Sequence, residues 1–233
     1  MNIAVVTARG GSKRIPGKNI KPFFGKPMLA WPILAAKKAG VFDRIVVSTD
    51  SPDIAVAARE WGAEVPFMRP AHLSDDHTPT APVFLHALDE LAAMGSAATR
   101  ACCIYPTSPF LLPEYLAEGL RQLRDYAAPG AVSVTTFDFP ILRGFKECED
   151  GSVAFNWPEY ELTRSQDLPE FYHDAGQFYW VDVASFRKEK RLIMPGTRPV
   201  KLPRKRVQDV DTPEDWETAE LMAHVLLAKG NAA

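Results

Sequence analysis

Short apolar runs alternate with amphipathic segments over the first 137 residues of the chain. Runs rich in β-branched and small apolar residues predict buried strands at residues 2–8, 44–49, 64–68, 101–105 and 131–137. Helical periodicity and helix start and stop signals predict helices at residues 27–39, 52–61, 80–94 and 114–126. Alternation at this spacing favours right-handed crossovers, so the pattern predicts an α/β fold with a mostly parallel, Rossmann-like sheet.

The pattern changes after residue 137. Residues 138–176 are irregular and aromatic, which indicates an insertion that forms a substrate lid or a dimer contact. Beyond them we predict a strand at residues 177–183, an extended segment at 207–211, and a final helix from Thr212 to about Lys229 that ends at Gly230. The sequence shows no linker and no internal repeat, so we expect one domain over residues 1–233 with an insertion at about 138–176.

Composition and charge narrow the class of protein. The chain has 233 residues, of which 46% are hydrophobic and 24% charged, as in an ordinary globular domain. The formal net charge of -2 argues against general nucleic-acid binding, which needs a basic surface. The three cysteines show neither metal-ligand spacing nor a disulfide framework, which favours a reducing cytoplasm. No apolar run has transmembrane length, and the first strand is wrongly flanked for a signal peptide, so we expect no membrane partner.

Glycines and basic residues are concentrated in the loop after the first predicted strand. Residues 9–19 contain three glycines and four basic side chains, and no acidic residue precedes them. Glycine leaves backbone N–H groups open to approach, and the cations add charge-assisted hydrogen bonds, so the loop suits phosphate oxygens. A merely solvated basic loop is the alternative. The spacing is not that of a P-loop, because five residues separate Gly11 from Gly17 and Asn19 follows Lys18, and Gly-x-Gly-x-x-Gly is absent.

Asp209 and Asp211 form the most informative acidic pair. Residues two apart in an extended segment project to the same face, so both carboxylates can reach one cation. Oxygen ligands beside a phosphate substrate favour Mg²⁺, which takes one or two carboxylates together with phosphate oxygens and waters. The alternative is that these residues only cap the next helix, but Thr212 already serves as that cap.

Other polar residues give weaker signals. His173 lies between the predicted insertion and the next strand, where it could be a pocket residue or a structural histidine. Arg164 and Gln166 could bind a substrate carboxylate or amide, because arginine offers a bidentate fork. Neither Ser12 nor Ser108 lies in a Gly-x-Ser-x-Gly elbow, so we reject covalent serine catalysis.

Three motifs, in order along the chain, resemble those of the sugar-acid cytidylyltransferases, the family of the CMP-sialic acid synthetases. They are Arg9-Gly10-Gly11-Ser12-Lys13 with Lys18-Asn19, then Pro106-Thr107-Ser108-Pro109, then Asp209-Val210-Asp211-Thr212. Residues 164–179 resemble most closely the pseudaminic acid cytidylyltransferases. The resemblance spans nearly the whole chain and implies a sheet of the nucleotidyltransferase, glycosyltransferase-A-like type.

The resemblance implies a role for each motif. The residues that would hold CTP are Arg9, Gly10, Gly11, Ser12, Lys18 and Asn19. Asp209 and Asp211 would hold Mg²⁺ as the cofactor, and with Lys18 they would be the catalytic residues. The residues that would contact the sugar acid are Tyr105, Arg164, Gln166, His173 and Gln177.

The implied reaction transfers CMP from CTP to the anomeric hydroxyl of a nonulosonic acid, in the first place pseudaminic acid, and releases pyrophosphate. A metal-activated hydroxyl would make a dedicated general base unnecessary, and none is visible in the sequence. The resemblance also implies a supply of nucleotide sugars for cell-surface glycans, such as those on flagellin. The aromatic insertion leads us to expect a homodimer.

Two alternatives remain open. The acceptor could be N-acetylneuraminate or a legionaminate-type sugar. Two departures favour a non-sialate substrate, because the sialic acid enzymes commonly carry Gln where this chain has Tyr105, and often Asn-Gly where it has Asp174-Ala175-Gly176. A nucleotide-binding regulator without catalysis is the alternative from another class, and the presence of both metal aspartates disfavours it.

Overall fold

A six-stranded sheet forms the centre of the molecule in the computed structural model, which describes residues 1–227. The strands of the described part are β1 (Asn2–Thr7), β2 (Pro22–Phe23), β3 (Lys26–Pro27), β4 (Arg44–Ser48), β5 (Arg100–Ile104), β6 (Gly130–Thr136), β7 (Phe145–Glu147), β8 (Val153–Phe155), β9 (Tyr172–Asp182) and β10 (Arg198–Lys201). The central sheet has the order β10-β6-β9-β5-β1-β4, and only the pairs that involve β9 are antiparallel. The predicted α/β fold with a mostly parallel sheet is confirmed.

Helices cover both faces of this sheet. In the described residues they are α1 (Ala30–Ala39), α2 (Pro52–Glu60), α3 (Thr80–Ala93), α4 (Pro113–Asp125), α5 (Val183–Glu189) and α6 (Pro213–Leu226). The first helix begins at Ala30 and not at residue 27, because β3 pairs with β2 in a hairpin immediately before it. The predicted end of the last helix, at Lys229 and Gly230, lies outside the described residues. No helix that the structure describes is both long and apolar enough to cross a membrane.

The cap signals of the sequence act as expected. Gly40 ends α1 in the left-handed region at φ 64°, where glycine is least strained. The Ser51 side chain accepts a hydrogen bond from the backbone N–H of Ile54 at the start of α2. Thr212 and Asp215 form a reciprocal capping box at the start of α6.

The antiparallel strand β9 begins earlier than predicted. It runs from Tyr172, so residues 172–176, which the sequence assigned to the insertion, belong to the central sheet, where Tyr172, His173 and Asp174 pair with β6. The register shifts between Val132 and Val134, and this irregularity lets the long strand follow both of its neighbours. The irregular segment outside the sheet therefore covers residues 138–171, and it contains the small hairpin of β7 and β8.

One strand prediction is wrong. Residues 64–68 form a single parallel bridge, between Glu64 and Val46, and Pro66 lacks the N–H that a continued ladder would need. Residues 207–211, predicted as an extended segment, belong to no sheet, and Val207 at their start has an extended backbone at φ -118° and ψ 117°. Six short elements were not predicted, and most of them are too short to carry a periodic pattern. They are the strands β2, β3, β7, β8 and β10 and the helix α5.

A cluster of aromatic side chains joins the C-terminal helix to the loop after β1. Phe23 packs edge-on against Phe110 and Trp216, with ring centroids 6.2 and 5.4 Å apart. Val210 is fully buried in the same cluster. This packing brings the segment before α6 next to residues that lie about 190 positions earlier in the chain.

Candidate active site

A cavity of about 590 Å³ opens at the carboxyl ends of β1 and β5. This is the edge at which open α/β sheets bind ligands. Its lining comes from four places: the loop after β1, residues 69–80 before α3, residues 105–107 after β5, and the two aspartates before α6. The predicted residues that line it are Arg9, Ser12, Lys18, Asn19, Tyr105, Asp209 and Asp211.

The loop after β1 is braced from inside. Asn19 is 5% exposed, and its Nδ2 donates to the carbonyl of Arg9 at 2.9 Å. The Asn19 Oδ1 has no hydrogen-bond partner among the described residues, although it is buried and its residue lines the cavity. Gly17 has φ 64°, so only glycine turns the loop there without strain. Asn19 thus combines a structural bond with an acceptor that is available to a ligand.

Gly10 and Gly11 lie beside the cavity lining and make contacts within the protein. The N–H of Gly10 donates to Asp50 Oδ1 at 2.9 Å, and the N–H of Ser12 donates to the carbonyl of Gly10 at 3.0 Å. A Cβ on Gly10 would lie 3.0 Å from the Cβ of Ser51, so this glycine allows close packing on the start of α2. Gly11 has open space around it, and neither glycine lines the cavity. Their contacts with CTP remain a prediction.

Two aspartates hold the four basic side chains of the loop. Asp76 forms ion pairs with Arg9, at 2.5 Å, and with Lys13. These partners, Lys13 first and Arg9 second, lower the pKa of Asp76 to about 2. Asp211 pairs with Arg14 at 2.9 Å and with Lys18 at 3.2 Å. The sequence reasoning missed Asp76, although an acidic pair at 75–76 in a loop facing the basic loop was a usable signal.

Lys18 ties the loop to the segment before α6. Its Nζ donates to the carbonyl of Val210 at 2.6 Å and to Asp211 Oδ1 at 3.2 Å, and the side chain is 16% exposed. Val210 points into the aromatic cluster while its two acidic neighbours line the cavity. The alternation expected for residues 209–211 therefore holds, although the segment is not a strand.

The surroundings of Asp209 disfavour the ionised form of its carboxylate. Reduced solvation, followed by the neighbouring Asp211, raises the pKa of Asp209 above its ordinary value, and Lys18 only partly opposes this. No cation lies within ion-pair distance of it in the described part of the chain. Thr212 and Asp215 complete the helix cap, so neither Asp209 nor Asp211 is needed for it.

The donor set of these two aspartates fits Mg²⁺. Both are hard oxygen ligands, both line the same cavity, and an added cation would relieve the charge on Asp209. Residues 1–227 hold no group of three or more His, Cys, Asp or Glu side chains with metal-ligand geometry. The remaining ligands would therefore have to be phosphate oxygens and waters, as is usual for Mg²⁺ in such sites.

A second cavity of about 500 Å³ adjoins the first, and the two share Tyr105 and Asp209. His173 lines it, with Nδ1 2.9 Å from its neighbour's carbonyl oxygen. The Tyr179 hydroxyl donates to Asp174 Oδ2, and burial, together with Tyr105 and Asp174, raises the pKa of this tyrosine. Two ligands that fill these cavities would meet at Asp209.

Three predicted substrate residues lie outside both cavities. Arg164 and Gln166 belong to an exposed 3₁₀ turn, where Arg164 Nε donates to Asp167 at 2.8 Å. Gln177 is 4% exposed, and its Nε2 donates to the carbonyl of Arg206 at 2.6 Å. These three residues line neither cavity, and their contacts with the sugar acid remain predictions.

Arg69 is a cavity residue that the sequence reasoning missed. Its side chain is almost completely buried, its nearest acid is Asp50 at 3.9 Å, and burial lowers its pKa. The Nε and Nη2 atoms have no hydrogen-bond partner within residues 1–227. The sequence did contain a signal for Arg69, because it directly follows the apolar run at residues 64–68, which was predicted as a strand that leads to the ligand-binding edge.

Comparison with known proteins gives concordant results. The family model described as "Cytidylyltransferase" matches residues 3–212. A pseudaminic acid cytidylyltransferase of Campylobacter jejuni is 35% identical over 224 residues, which cover 96% of this chain and 97% of that protein. A CMP-N,N'-diacetyllegionaminic acid synthase of Legionella pneumophila is 30% identical over 223 residues and 94% of each chain. The solved structure of CMP:2-keto-3-deoxy-manno-octonic acid synthetase complexed with CTP shares the fold, with a TM-score of 0.69, 19% identity and coverage of 97% of this chain and 99% of that chain.

Proposed function

The chain belongs to the cytidylyltransferase family and is a CTP-dependent nucleotidyltransferase, and we propose that it transfers CMP from CTP to the anomeric hydroxyl of pseudaminic acid. The observation that carries this proposal is the pair of adjoining cavities that share Asp209. The basic cavity suits a triphosphate, and the second cavity suits a polar acceptor. The 35% identity to a pseudaminic acid cytidylyltransferase over 96% of the chain supports this acceptor over the related sugar acids.

The reaction needs positioning and charge neutralisation more than covalent catalysis. The anomeric oxygen forms a bond to the α-phosphorus, the bond from that phosphorus to pyrophosphate breaks, and the hydroxyl proton passes to water. Mg²⁺ held by Asp209 and Asp211 would draw charge from the phosphate oxygens and lower the pKa of the attacking hydroxyl. Lys18 and Arg14, which lie beside Asp211, are placed to neutralise the departing pyrophosphate.

Pyrophosphate release tests this proposal. The purified protein is supplied with CTP, Mg²⁺ and, in separate reactions, pseudaminate, legionaminate or N-acetylneuraminate. We expect kcat/KM to be at least about tenfold higher for pseudaminate, since one well-placed polar contact discriminates by that amount. Release with none of the sugar acids would refute CMP transfer. Equal kcat/KM values for the three would refute only the choice of pseudaminate.

The metal role of the two aspartates has its own test. Asp209→Asn and Asp211→Asn should each lower kcat by about 100-fold or more, because each removes a charge from the reacting centre. Asp125→Asn is the matched control, since Asp125 is an exposed acid at the end of α4 and lines neither cavity. If both cavity variants have the same kcat as the Asp125→Asn control, the metal assignment is wrong. If wild type and variants bind CTP but none releases pyrophosphate, the regulator alternative holds.

We also propose that the insertion mediates a homodimer. Large apolar side chains are exposed there, with Leu162 94% and Phe139 84% exposed. Such a concentration of exposed apolar surface is typical of protein interfaces. Light scattering should give twice the chain mass, and Phe139→Asp should shift it towards one chain mass. A wild-type mass of one chain at all concentrations would exclude the dimer. A cytoplasmic location remains a proposal that rests on the cysteine pattern, and a role in flagellin or other cell-surface glycans is a proposal that rests on the resemblance.

A further inference from the structure

Among the described residues, Arg204 is the one lysine or arginine that lines the second cavity, and we propose that it binds the carboxylate of the sugar acid. This role rests on the proposed function, because it takes the sugar acid as the occupant of that cavity. The sequence assigned the same task to Arg164, which lies in the exposed turn outside both cavities.

The charges of the second cavity require a cation for an acidic ligand. Within residues 1–227, the carboxylates of Asp138, Asp174 and Asp209 line it, and Arg204 is the permanent cation that lines it with them. Asp174 is committed to the protein, since it accepts hydrogen bonds from the Tyr179 hydroxyl and from the N–H of Gly176. An anion that entered without a cationic partner would meet like charges at short range, which is unfavourable.

The chemistry of the acceptor places its carboxylate near the junction of the cavities. In a 2-keto sugar acid the carboxylate carbon is bonded directly to the anomeric carbon, which also carries the reacting hydroxyl. The group that binds the carboxylate must therefore lie close to the site of reaction. Arg204 begins the short turn Arg204–Arg206, and the chain runs from this turn straight to Asp209.

The backbone that carries Arg204 is held in place on both sides. The N–H of Leu202 donates to the carbonyl of Val134 in β6 at 2.8 Å, and the N–H of Val207 donates to the carbonyl of Arg204 at 2.9 Å. Gln177 Nε2 fixes the end of the turn through the carbonyl of Arg206. Gln177, predicted to touch the sugar, thus acts as a positioning residue for the turn that carries the arginine.

The Arg204 side chain retains capacity for a ligand. One nitrogen, Nη1, makes both of its contacts, to Asp138 Oδ1 at 2.9 Å and to the carbonyl of Phe137 at 3.3 Å. Its Nε and Nη2 make no hydrogen bond to the described residues. A guanidinium has five N–H donors in a planar fork, so these two nitrogens can bind a carboxylate while Nη1 keeps its present partners.

Steady-state kinetics with the sugar acid and CTP varied in turn tests this assignment. Arg204→Gln should raise the KM for the sugar acid by about 10- to 100-fold, the loss expected for a charge-assisted pair, and leave the KM for CTP within about twofold. Arg204→Lys should recover part of the loss, because it keeps the charge without the fork. Lys205→Gln is the matched control, since Lys205 is exposed in the same turn and lines neither cavity.

The outcomes separate this assignment from the proposed function. Wild-type turnover with a sugar acid, together with an unchanged sugar KM in Arg204→Gln, overturns the role of Arg204 alone. The same holds if Arg164→Gln raises the sugar KM and Arg204→Gln does not, or if the CTP KM rises in parallel with the sugar KM. A wild-type protein that turns over no sugar acid overturns both. A raised sugar KM that Arg204→Lys partly restores supports the assignment, because a merely structural defect would alter both substrates.

Discussion

Replacement of Lys18 by methionine tests the connection on which the candidate site depends. Lys18 makes the two hydrogen bonds that join the loop after β1 to the segment before α6, one to the Val210 carbonyl at 2.6 Å and one to Asp211 at 3.2 Å. Methionine keeps much of the length and apolar surface of the side chain but removes the charge and the donors. We therefore expect the variant to fold and to lose much of its use of CTP.

The size of the loss follows from these contacts. A hydrogen bond that involves a charged group contributes about 1.5–3 kcal/mol. Asp211 is 45% exposed and also pairs with Arg14, so the second contact is partly replaced, and we count the equivalent of one bond. One such bond corresponds to a decrease in kcat/KM for CTP of about 10- to 150-fold.

The assay is pyrophosphate release at saturating sugar acid with CTP varied, and circular dichroism verifies that the variant is folded at the assay temperature. Lys38→Met is the matched control, because Lys38 is exposed near the end of α1 and lines neither cavity. It should match the wild type. A kcat/KM for CTP within threefold of the wild type in folded Lys18→Met would show that this link does not support catalysis.

Three further changes test the charges and packing around the site. Asp76→Asn should lower the KM for CTP, by less than about fivefold, because the carboxylate competes with phosphate for two loop cations; a higher KM in CTP titrations would mean that it orders them instead. Glu64→Gln should lower the Tm at pH 7 by no more than about 3 °C. Arg44 holds the pKa of Glu64 below its ordinary value, so this stabilisation is present above the pKa of unfolded Glu64 and is lost as the pH falls through its folded pKa. The Tm difference from wild type should therefore shrink in thermal melts at successively lower pH, and a difference that grows would contradict the ion pair. Gly119→Ala should lower the Tm by several degrees despite the better helix propensity of alanine, because the new Cβ would overlap the ring of Trp180; an equal or higher Tm would show that the helix shifts at little cost.

The parts of the fold that could be predicted are those whose pattern repeats over several residues. The buried runs that became β1, β4, β5 and β6 are continuous and apolar, and each lies within two residues of its predicted bounds. By contrast, β10 has only four residues, one of them Pro199, and its pairing with β6 depends on a partner 67 positions away. The antiparallel direction of β9 was not visible either, because a buried apolar strand looks the same in both orientations.

In the candidate site, too, residues that belong to a local sequence pattern could be predicted, and residues brought together from distant parts of the chain could not. Asp209 and Asp211 could be found because a two-residue period is local, and it holds since Val210 between them is drawn into the cluster with Phe23 and Trp216. Arg69 and Arg204 could not be found in this way, because each is defined by a cavity wall built from distant segments. Motifs therefore identified more residues of the first cavity than of the second, and the candidate Arg164 lies in an exposed turn outside both.

The pairing of loop cations with aspartates has a consequence for how the site selects its ligand. Asp76 and Asp211 each pair with two of the four basic side chains of the loop, so a single phosphate must compete with a carboxylate for either pair of cations. A triphosphate offers several oxygens at once and can engage both groups of cations, one held by each aspartate. The cavity should consequently discriminate by chain length of the phosphate, with CMP bound much more weakly than CTP. The CMP-sugar product, which also carries a single phosphate, would then dissociate readily once pyrophosphate has departed.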